Sequence, residues 1–248
     1  MSESIKLAIL TPSCRDPKWG YKSTLEMMMA RMQWAQSEDP KHWMGGKRIS
    51  EFEVRGRIKT SLLPQGRQKL YDEAIRDGFD YALWWDDDVA VDVRALEILL
   101  GANKPSVACN VLCKGIPQNP ENYPDDGIWF SAIGKDRKPM SSLRSTGLEE
   151  CYSCGMAFHL VDLRAVRHIP RPHFEVRWDD EWNDYRGEDW FFTRKLAENG
   201  IPTLIDHEAS RMCSHIGDWD YTIQNMATFM KSAKAFAKIA EMMKRGEA

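Results

Sequence analysis

The stretch that decides the fold runs Tyr81-Ala82-Leu83-Trp84-Trp85-Asp86-Asp87-Asp88-Val89. Its apolar part predicts a strand buried on both faces, as in the middle of a parallel sheet. The three carboxylates then lie at the carboxyl end of that strand, where open α/β sheets bind ligands. In an extended backbone Asp86 and Asp88 project to one side and Asp87 to the other, so the pair predicts a divalent-cation site. A solvated acidic turn is the alternative interpretation.

The bulk composition indicates a globular protein with a sizeable core. The chain has 248 residues, 43% of them hydrophobic, and a formal net charge of -3, which gives no general attraction to nucleic acid or to an anionic membrane. The N-terminus lacks the apolar region of a signal peptide, and no run approaches the ~18 apolar residues of a membrane span. We therefore expect a cytoplasmic protein whose six cysteines are mostly reduced.

Apolar runs and helical patterns follow one another along the chain. Strands are predicted at 5–10, 52–54, 58–63, 81–85, 106–113, 151–160 and 201–205. Helices are predicted from Ser23 onward and at 67–76, 91–100, 163–168, 190–198 and 222–245. This order predicts an α/β fold with a mainly parallel central sheet flanked by helices. We expect one domain over 1–220, with an amphipathic C-terminal helix, 221–248, packed on it.

Two segments on the amino-terminal side are candidates for ligand contacts. The first predicted strand ends at Thr11-Pro12-Ser13, where the proline cannot continue a ladder and two hydroxyl groups are free to bond a ligand. The helix predicted from Arg67 would place this arginine in its first turn, beside backbone N–H groups that have no partner within the helix. Arg67 is therefore predicted to bind an anion.

Two further segments lie near the predicted chemistry. Residues 174–187 alternate aromatic rings with carboxylates, a combination suited to sugar faces and hydroxyl groups. Glu188 and Asp189 then open a helix, where a carboxylate can act as a general base. Gly155, inside the strand predicted at 151–160, indicates a close approach of the backbone to another group.

Four motifs in this order resemble the GT-A-type nucleotide-sugar glycosyltransferases, compact phage-like or bacterial-like members included. They are Leu83–Asp88, Ser153–Phe158, Gly187–Phe192 and His215–Gly217, and the resemblance covers residues 5–217. It implies a Rossmann-like GT-A fold and a hexosyl- or pentosyltransferase that uses a nucleotide-diphosphate-sugar donor. The acceptor would be a hydroxyl group of a glycan, of a small molecule or of a modified base in DNA.

The resemblance also implies roles for individual residues. Asp86-Asp87-Asp88 would be the family's Asp-x-Asp element, with Asp88 on the metal and Asp86 on the metal or the ribose. His215 would be a further metal ligand, and the imidazole favours Mn²⁺ over Mg²⁺. Thr11, Pro12, Ser13, Arg67, Asp86 and Asp87 would contact the donor nucleotide. Asp189, with Glu188 as its rival, would serve as the base that activates the acceptor.

Three other interpretations stay open. A sugar- or nucleotide-binding protein without catalytic activity would use the same pocket. Cys151, Cys154, Cys213 and His215 could instead supply four ligands to a structural zinc ion, which would define a zinc-stabilised binding domain. Lys231, Lys234, Lys238 and Arg245 lie on one stripe of the last predicted helix, where they could bind phosphates of a nucleic acid or of a membrane surface, or form an ordinary solvated face.

Overall fold

The structure is a computed structural model that describes residues 3–13, 17–57, 62–114, 130–217 and 220–226. Its helices are α1 (Trp19–Trp34), α2 (Leu63–Arg76), α3 (Val93–Gly101), α4 (Leu163–Val166), α5 (Glu188–Glu198) and α6 (His207–Ser210), with a short 3-10 helix at Pro40–His42. Its strands are β1 (Ser4–Pro12), β2 (Arg48–Arg57), β3 (Tyr81–Trp85), β4 (Val89–Val91), β5 (Ser106–Ala108), β6 (Ile133–Gly134), β7 (Leu148–Ser153), β8 (Phe158–Asp162), β9 (Arg177–Asp179), β10 (Asp184–Arg186), β11 (Leu204–Asp206), β12 (Cys213–Ile216) and β13 (Asp220–Tyr221).

The central sheet has the order β2-β1-β3-β8-β5-β11-β7-β6. Within the described residues, six of its eight strands run in one direction, and β8 and β7 run against their neighbours. The strand predicted at 81–85 is β3, which pairs in parallel with β1 and antiparallel with β8. The sheet is therefore mainly parallel, as predicted, and β3 lies inside it.

Both faces of β3 are covered, which explains its continuous apolar sequence. Leu83 and Trp85 belong to a core beneath α1 and α3, whereas Ala82 and Trp84 belong to the core under α2 and α5. Trp84 and Trp85 are fully buried. Burial of a large apolar side chain stabilises a fold by about 1.5–3 kcal/mol, so these two rings anchor the two faces of the sheet.

The chain that follows the three aspartates forms β4, which belongs to a small second sheet with the order β13-β12-β4. Strand β4 begins one residue after Asp88 and pairs antiparallel with β12, so that His215 lies opposite Val89. In addition, the N–H of Ile216 donates to the carbonyl oxygen of Asp88 at 2.7 Å. This pairing carries His215 to the carboxyl end of β3.

The fold differs from the sequence prediction around 151–160, which was expected to be one strand. It forms the end of β7 and the beginning of β8, separated by 154–157. Strand β7 pairs with β11, whereas β8 pairs with β3 and β5. Most residues of 153–158 are buried, so their apolar character continued through the break and concealed it.

Two other predictions fall partly outside the described residues. The strand at 58–63 overlaps 58–61, which the structure does not describe, and β2 covers the strand predicted at 52–54. The structure describes the C-terminal helix only as far as Met226. Ile223 and Met226 are buried there against Leu112 and Phe130, and the basic stripe and most of segment 221–248 lie outside the described residues.

Candidate active site at the carboxyl end of β3

The three aspartates after β3 point to three different partners. Asp86 accepts a hydrogen bond from Nη2 of Arg67 at 3.0 Å. The carboxylate of Asp87, which is buried, accepts a hydrogen bond from the hydroxyl group of Ser13. Asp88 pairs with Lys114 and with His215. The repulsion expected among three adjacent carboxylates is thus offset by a separate donor for each.

Asp88 and His215 form the part of this cluster that best fits a metal ion. Nδ1 of His215 donates to the carbonyl oxygen of Leu112 at 2.6 Å, so a neutral imidazole presents the lone pair of Nε2. Nε2 lies 3.3 Å from Oδ1 of Asp88. Imidazole nitrogen and carboxylate oxygen, with the ring oriented by a backbone carbonyl, are a donor set that suits Mn²⁺. Without a metal, an Nε2–H group of His215 would instead donate a hydrogen bond to Oδ1 of Asp88.

The third predicted metal ligand, Asp86, does not form a group with Asp88 and His215 and is instead bonded to Arg67. In the described part of the chain, no three His, Cys, Asp or Glu side chains form a group that could hold a metal ion. Burial raises the pKa of Asp86, although Arg67 opposes the rise. Burial would also raise the pKa of Asp88, but His215 and Lys114 bring it well below its ordinary value. Asp88 is therefore a carboxylate that its neighbours keep ionised.

Arg67 connects the acidic cluster to helix α5. Its side chain is only 3% exposed, and Nε donates to Oε1 of Glu188 at 3.1 Å while Nη2 donates to Asp86. The guanidinium also stacks over Trp84, with its central carbon 5.4 Å from the ring centroid. The predicted position of Arg67 was wrong, because α2 begins at Leu63 and Arg67 lies beyond its first turn. It meets two carboxylates of the protein itself.

Asp189 lies at the start of α5, next to Glu188 but in a different environment. Its Oδ1 accepts from the N–H of Trp190 at 2.7 Å. Burial raises the pKa of Asp189 to about 6, the charge of Glu188 adds to the rise, and Arg67 opposes it. A carboxylate with such a pKa exchanges protons near neutral pH, which is the property of a general base.

Two glycines leave room for the carboxylate of Asp189. A Cβ added at Gly187 would lie 2.7 Å from Oδ1 of Asp189, a distance that Cβ atoms do not tolerate. A Cβ at Gly155 would lie 3.6 Å from Oδ2 of Asp189 and 3.2 Å from Cβ of Ser131. The close approach predicted for Gly155 is therefore real, and the neighbours are Ser131 and Asp189.

The segment Thr11-Pro12-Ser13 ends β1 beside the acidic cluster. Thr11 and Pro12 are the last residues of β1, and the hydroxyl group of Thr11 lies 2.7 Å from the hydroxyl group of Tyr21. Ser13 binds Asp87. The hydroxyl groups of Thr11 and Ser13 are therefore both hydrogen-bonded to protein side chains. The structure brings the predicted site residues to one edge of the sheet: Thr11, Pro12, Ser13, Arg67, Asp86, Asp87, Asp88, Glu188, Asp189 and His215.

Asp189 also lines a cavity of about 630 Å³. Gly155, Gly187 and Asp189 form part of its wall, together with Trp182 from the predicted aromatic segment and Trp190 from α5. The cavity does not include the donor-side residues of 11–13 or 86–88 among its lining. Asp189 therefore borders a partly aromatic cavity and also lies close enough to Arg67 and Asp86 for their charges to affect its pKa.

The zinc interpretation is not supported by the positions of its four residues. Cys213 packs in the core with Cys109, whereas Cys151 and Cys154 belong to a different apolar cluster. Burial and the neighbouring Cys213 raise the pKa of Cys109, as expected for a thiol in a core. His215 faces Asp88 instead of a thiol. Cys109, Cys151, Cys154 and Cys213 are core residues of the described fold.

Sequence reasoning found Arg67 but missed two other cations, Lys114 and Arg186. Lys114 binds Asp88, yet it follows Cys113 in a segment that has no regular pattern. Arg186 lies in the cavity wall, within segment 174–187, where aromatic rings alternate with carboxylates. The interleaving of Arg177 and Arg186 with those rings was the available signal, because guanidinium groups stack on aromatic faces.

Comparison with solved structures places this architecture among known folds. The chain is similar to GalNAc-T7, solved with UDP, GalNAc and Mn2+, at 13% identity and a TM-score of 0.50, over 86% of this chain and 44% of that one. It also resembles A197 from STIV (16% identity, TM-score 0.49, 86% and 87% covered). S. aureus TarS 1-349 in complex with UDP-GlcNAc is a further neighbour (12%, TM-score 0.43, 81% and 56%).

The comparison with GalNAc-T7 defines the class of the fold. This chain has a GT-A-like α/β fold with a mainly parallel central sheet flanked by helices, as the sequence resemblance predicted. It spans less than half the length of GalNAc-T7. No family model matches the chain, and no match was found among curated proteins.

None of the helices in the described ranges combines the length and the apolar character that a bilayer crossing requires.

Proposed function

We propose that the chain is a metal-dependent glycosyltransferase that moves a sugar from a nucleotide-diphosphate-sugar donor to a hydroxyl acceptor. The observation that carries the proposal is Asp189, a carboxylate whose pKa is raised to about 6 and which borders the cavity while lying close enough to Arg67 and Asp86 for their charges to affect that pKa. A transferase needs two adjoining subsites with a base between them. The GT-A-like fold supports the same conclusion.

The donor binds on the side of Asp86, Asp87 and Asp88 in this proposal. Asp88 and His215 would hold Mn²⁺ or Mg²⁺. The positive charge of such an ion would stabilise the negative charge of the diphosphate leaving group. Asp86 would contact the metal or the ribose, and Thr11, Pro12, Ser13 and Asp87 would form the wall beside the nucleotide. Arg67 fixes Asp86 and Glu188 in place, and its buried Nη1 has no hydrogen-bond partner among the described residues.

The acceptor hydroxyl group loses its proton to Asp189. Glu188, the rival base, accepts a hydrogen bond from Arg67 and is only 8% exposed, which favours a structural role for it. The acceptor oxygen gives its proton to a carboxylate oxygen of Asp189 and forms its new bond to the sugar carbon. The bond from this carbon to the diphosphate breaks, and the nucleoside diphosphate leaves. A base on the acceptor side favours transfer with inversion at this carbon.

A hydrolysis assay tests the activity without knowledge of the acceptor. Release of nucleoside diphosphate is measured for a panel of nucleotide sugars, with Mn²⁺ and with EDTA, using water as the acceptor. We expect release from at least one donor, and only with the metal. Binding of a nucleotide sugar without release, even at high enzyme concentration, would identify a binding protein instead.

A further inference from the structure

The wall of the cavity beside Asp189 carries more positive than negative groups. Arg137, Lys138 and Arg186 contribute to this wall, and Asp189 is the one carboxylate among its described lining residues. The chain as a whole has a net charge of -3, so this local excess is opposite in sign to that of the protein. A cavity lined in this way attracts anions.

Arg186 is held in a fixed orientation by two aromatic rings. Its guanidinium carbon lies 4.5 Å from the ring centroid of Trp182 and 4.2 Å from that of Trp190. Within the part of the chain that the structure describes, no carboxylate forms an ion pair with Arg186, and its Nε has no hydrogen-bond partner. A guanidinium that is ordered by stacking and lacks a carboxylate partner is prepared to bind an external anion.

A second stack supports the same wall. The guanidinium of Arg137 lies 3.4 Å from the ring centroid of Tyr152, on a ring that Arg194 also contacts at 3.9 Å. Arg137 pairs with Glu181 at 3.2 Å, so its charge is partly offset. Lys138 is exposed at the edge of the cavity. Among the described residues, therefore, Arg137 has a carboxylate partner, whereas Arg186 and Lys138 have none.

The remaining polar atoms of the wall are mostly donors. Nε1 of Trp182, Nε1 of Trp190 and the hydroxyl groups of Ser131 and Ser153 have no hydrogen-bond partner among the described residues. Buried donors without partners are uncommon in folded proteins, and a ligand rich in acceptors supplies what they lack. Phosphate oxygens are hydrogen-bond acceptors of this kind. If the substrate that is glycosylated carries a phosphate group, these oxygens and the hydroxyl group that reacts near Asp189 belong to the same molecule.

We propose that this cavity selects an acceptor that carries a phosphate group, bound by Arg186 with Arg137 and Lys138, close to the hydroxyl group that is glycosylated. The assignment of the cavity to the acceptor rests on the proposed glycosyltransferase function. The phosphate could belong to a free sugar phosphate or to a nucleic acid, since the recognised chemistry is the same.

The test measures binding without transfer, so it is independent of catalysis. The probes are ribose 5-phosphate and neutral ribose, titrated into the metal-free protein while the indole N–H signals of its ten tryptophans are followed by NMR. Trp182→Phe and Trp190→Phe assign the two cavity signals, and Trp84 reports the donor side beside Arg67. We expect ribose 5-phosphate to shift the signals of Trp182 and Trp190 with at least tenfold higher affinity than ribose.

Two variants and one control locate the phosphate. Arg186→Gln should weaken the binding of ribose 5-phosphate at least tenfold. Lys138→Gln changes an exposed residue and should weaken this binding at least threefold. Arg177→Gln is the matched control, because Arg177 lies opposite Arg186 in the hairpin β9–β10 but outside this cavity. It should change the affinity less than twofold.

Equal affinity for ribose and ribose 5-phosphate, shifts confined to Trp84, or equal losses in Arg186→Gln and Arg177→Gln would each overturn the proposal. A DNA trinucleotide serves as the second arm: tighter binding than ribose 5-phosphate at the same two tryptophans assigns the phosphate to a nucleic acid, and weaker binding assigns it to a free sugar phosphate. Failure of the hydrolysis assay with normal binding here would instead refute the transferase activity alone.

Discussion

Nε2 of His215 lies 3.3 Å from Oδ1 of Asp88, although the two residues are far apart in the sequence. The pairing of β12 with β4 brings them together, and the carbonyl oxygen of Leu112 orients the ring. The strand that follows the acidic cluster therefore also builds the candidate metal site. This arrangement links the fold directly to the proposed chemistry.

Asp88→Ala should abolish Mn²⁺-dependent binding of a nucleoside diphosphate, because it removes the ionised carboxylate that faces His215. Isothermal titration calorimetry with UDP and GDP, with and without Mn²⁺, measures the effect. Glu51→Ala removes an exposed carboxylate on β2 and should leave binding unchanged. Undiminished Mn²⁺-dependent affinity in Asp88→Ala would remove Asp88 from the metal site.

Gly187→Ala should lower turnover at least tenfold while nucleotide affinity stays within twofold. The backbone at Gly187 has φ -67°, which alanine adopts freely, so the effect comes from the new Cβ 2.7 Å from Oδ1 of Asp189. Gly101→Ala is the control, because its Cβ would meet only ordinary contacts at 3.6 Å or more. Normal turnover in Gly187→Ala would show that the position of the Asp189 carboxylate is not critical.

Asp189→Asn should stabilise the protein above pH 6. A pKa raised to about 6 means that the folded state favours the protonated carboxyl group, so its contribution to stability is present below the unfolded pKa and is lost as the pH rises through 6. Asparagine avoids this loss. We expect the free energy of unfolding at pH 7.5 to increase by about 1 kcal/mol, with no increase at pH 4.

Asp184→Asn provides the control for that measurement. Asp184 also accepts a hydrogen bond from the next backbone N–H at 2.7 Å, but its side chain is exposed. Urea unfolding at the two pH values should show no pH-dependent gain in Asp184→Asn. A gain of the same size in both variants would mean that burial is not the cause.

Arg67→Met should destabilise the fold by about 3 kcal/mol, because it leaves Asp86 and Glu188 without their shared buried cation. Arg76→Met, in the same helix, removes an exposed arginine that pairs with Asp77 and should leave the free energy of unfolding almost unchanged. Urea unfolding compares the two. Adding Glu188→Gln to Arg67→Met should recover part of the loss, and a further loss would contradict the ion-pair explanation.

The elements that the sequence predicted well are those with strong local signals. The apolar run at 81–85 became β3, and α5 begins at Glu188 and ends where Asn199 and Gly200, with φ +77°, turn the chain. Local patterns were sufficient because the burial of β3 on both faces and the glycine at the end of α5 are encoded within a few residues.

The features that the sequence did not predict depend on long-range pairing. The break between β7 and β8 was hidden because both strands and the link between them are mostly buried. Lys114 and Arg186 could not be assigned partners, since an ion pair or a stack depends on tertiary proximity. The approach of His215 to Asp88 followed from the family resemblance and not from any local pattern.

The pH dependence of nucleoside diphosphate release tests the central claim most directly. With Mn²⁺ and a hydrolysed nucleotide sugar, the wild-type rate should rise about tenfold per pH unit and level off above a pH of about 6, where Asp189 becomes ionised. Asp189→Asn should be slower by about 10²-fold or more, without that rise, and with little change in donor affinity. A rate in Asp189→Asn within threefold of the wild type, with the same pH profile, would contradict the account.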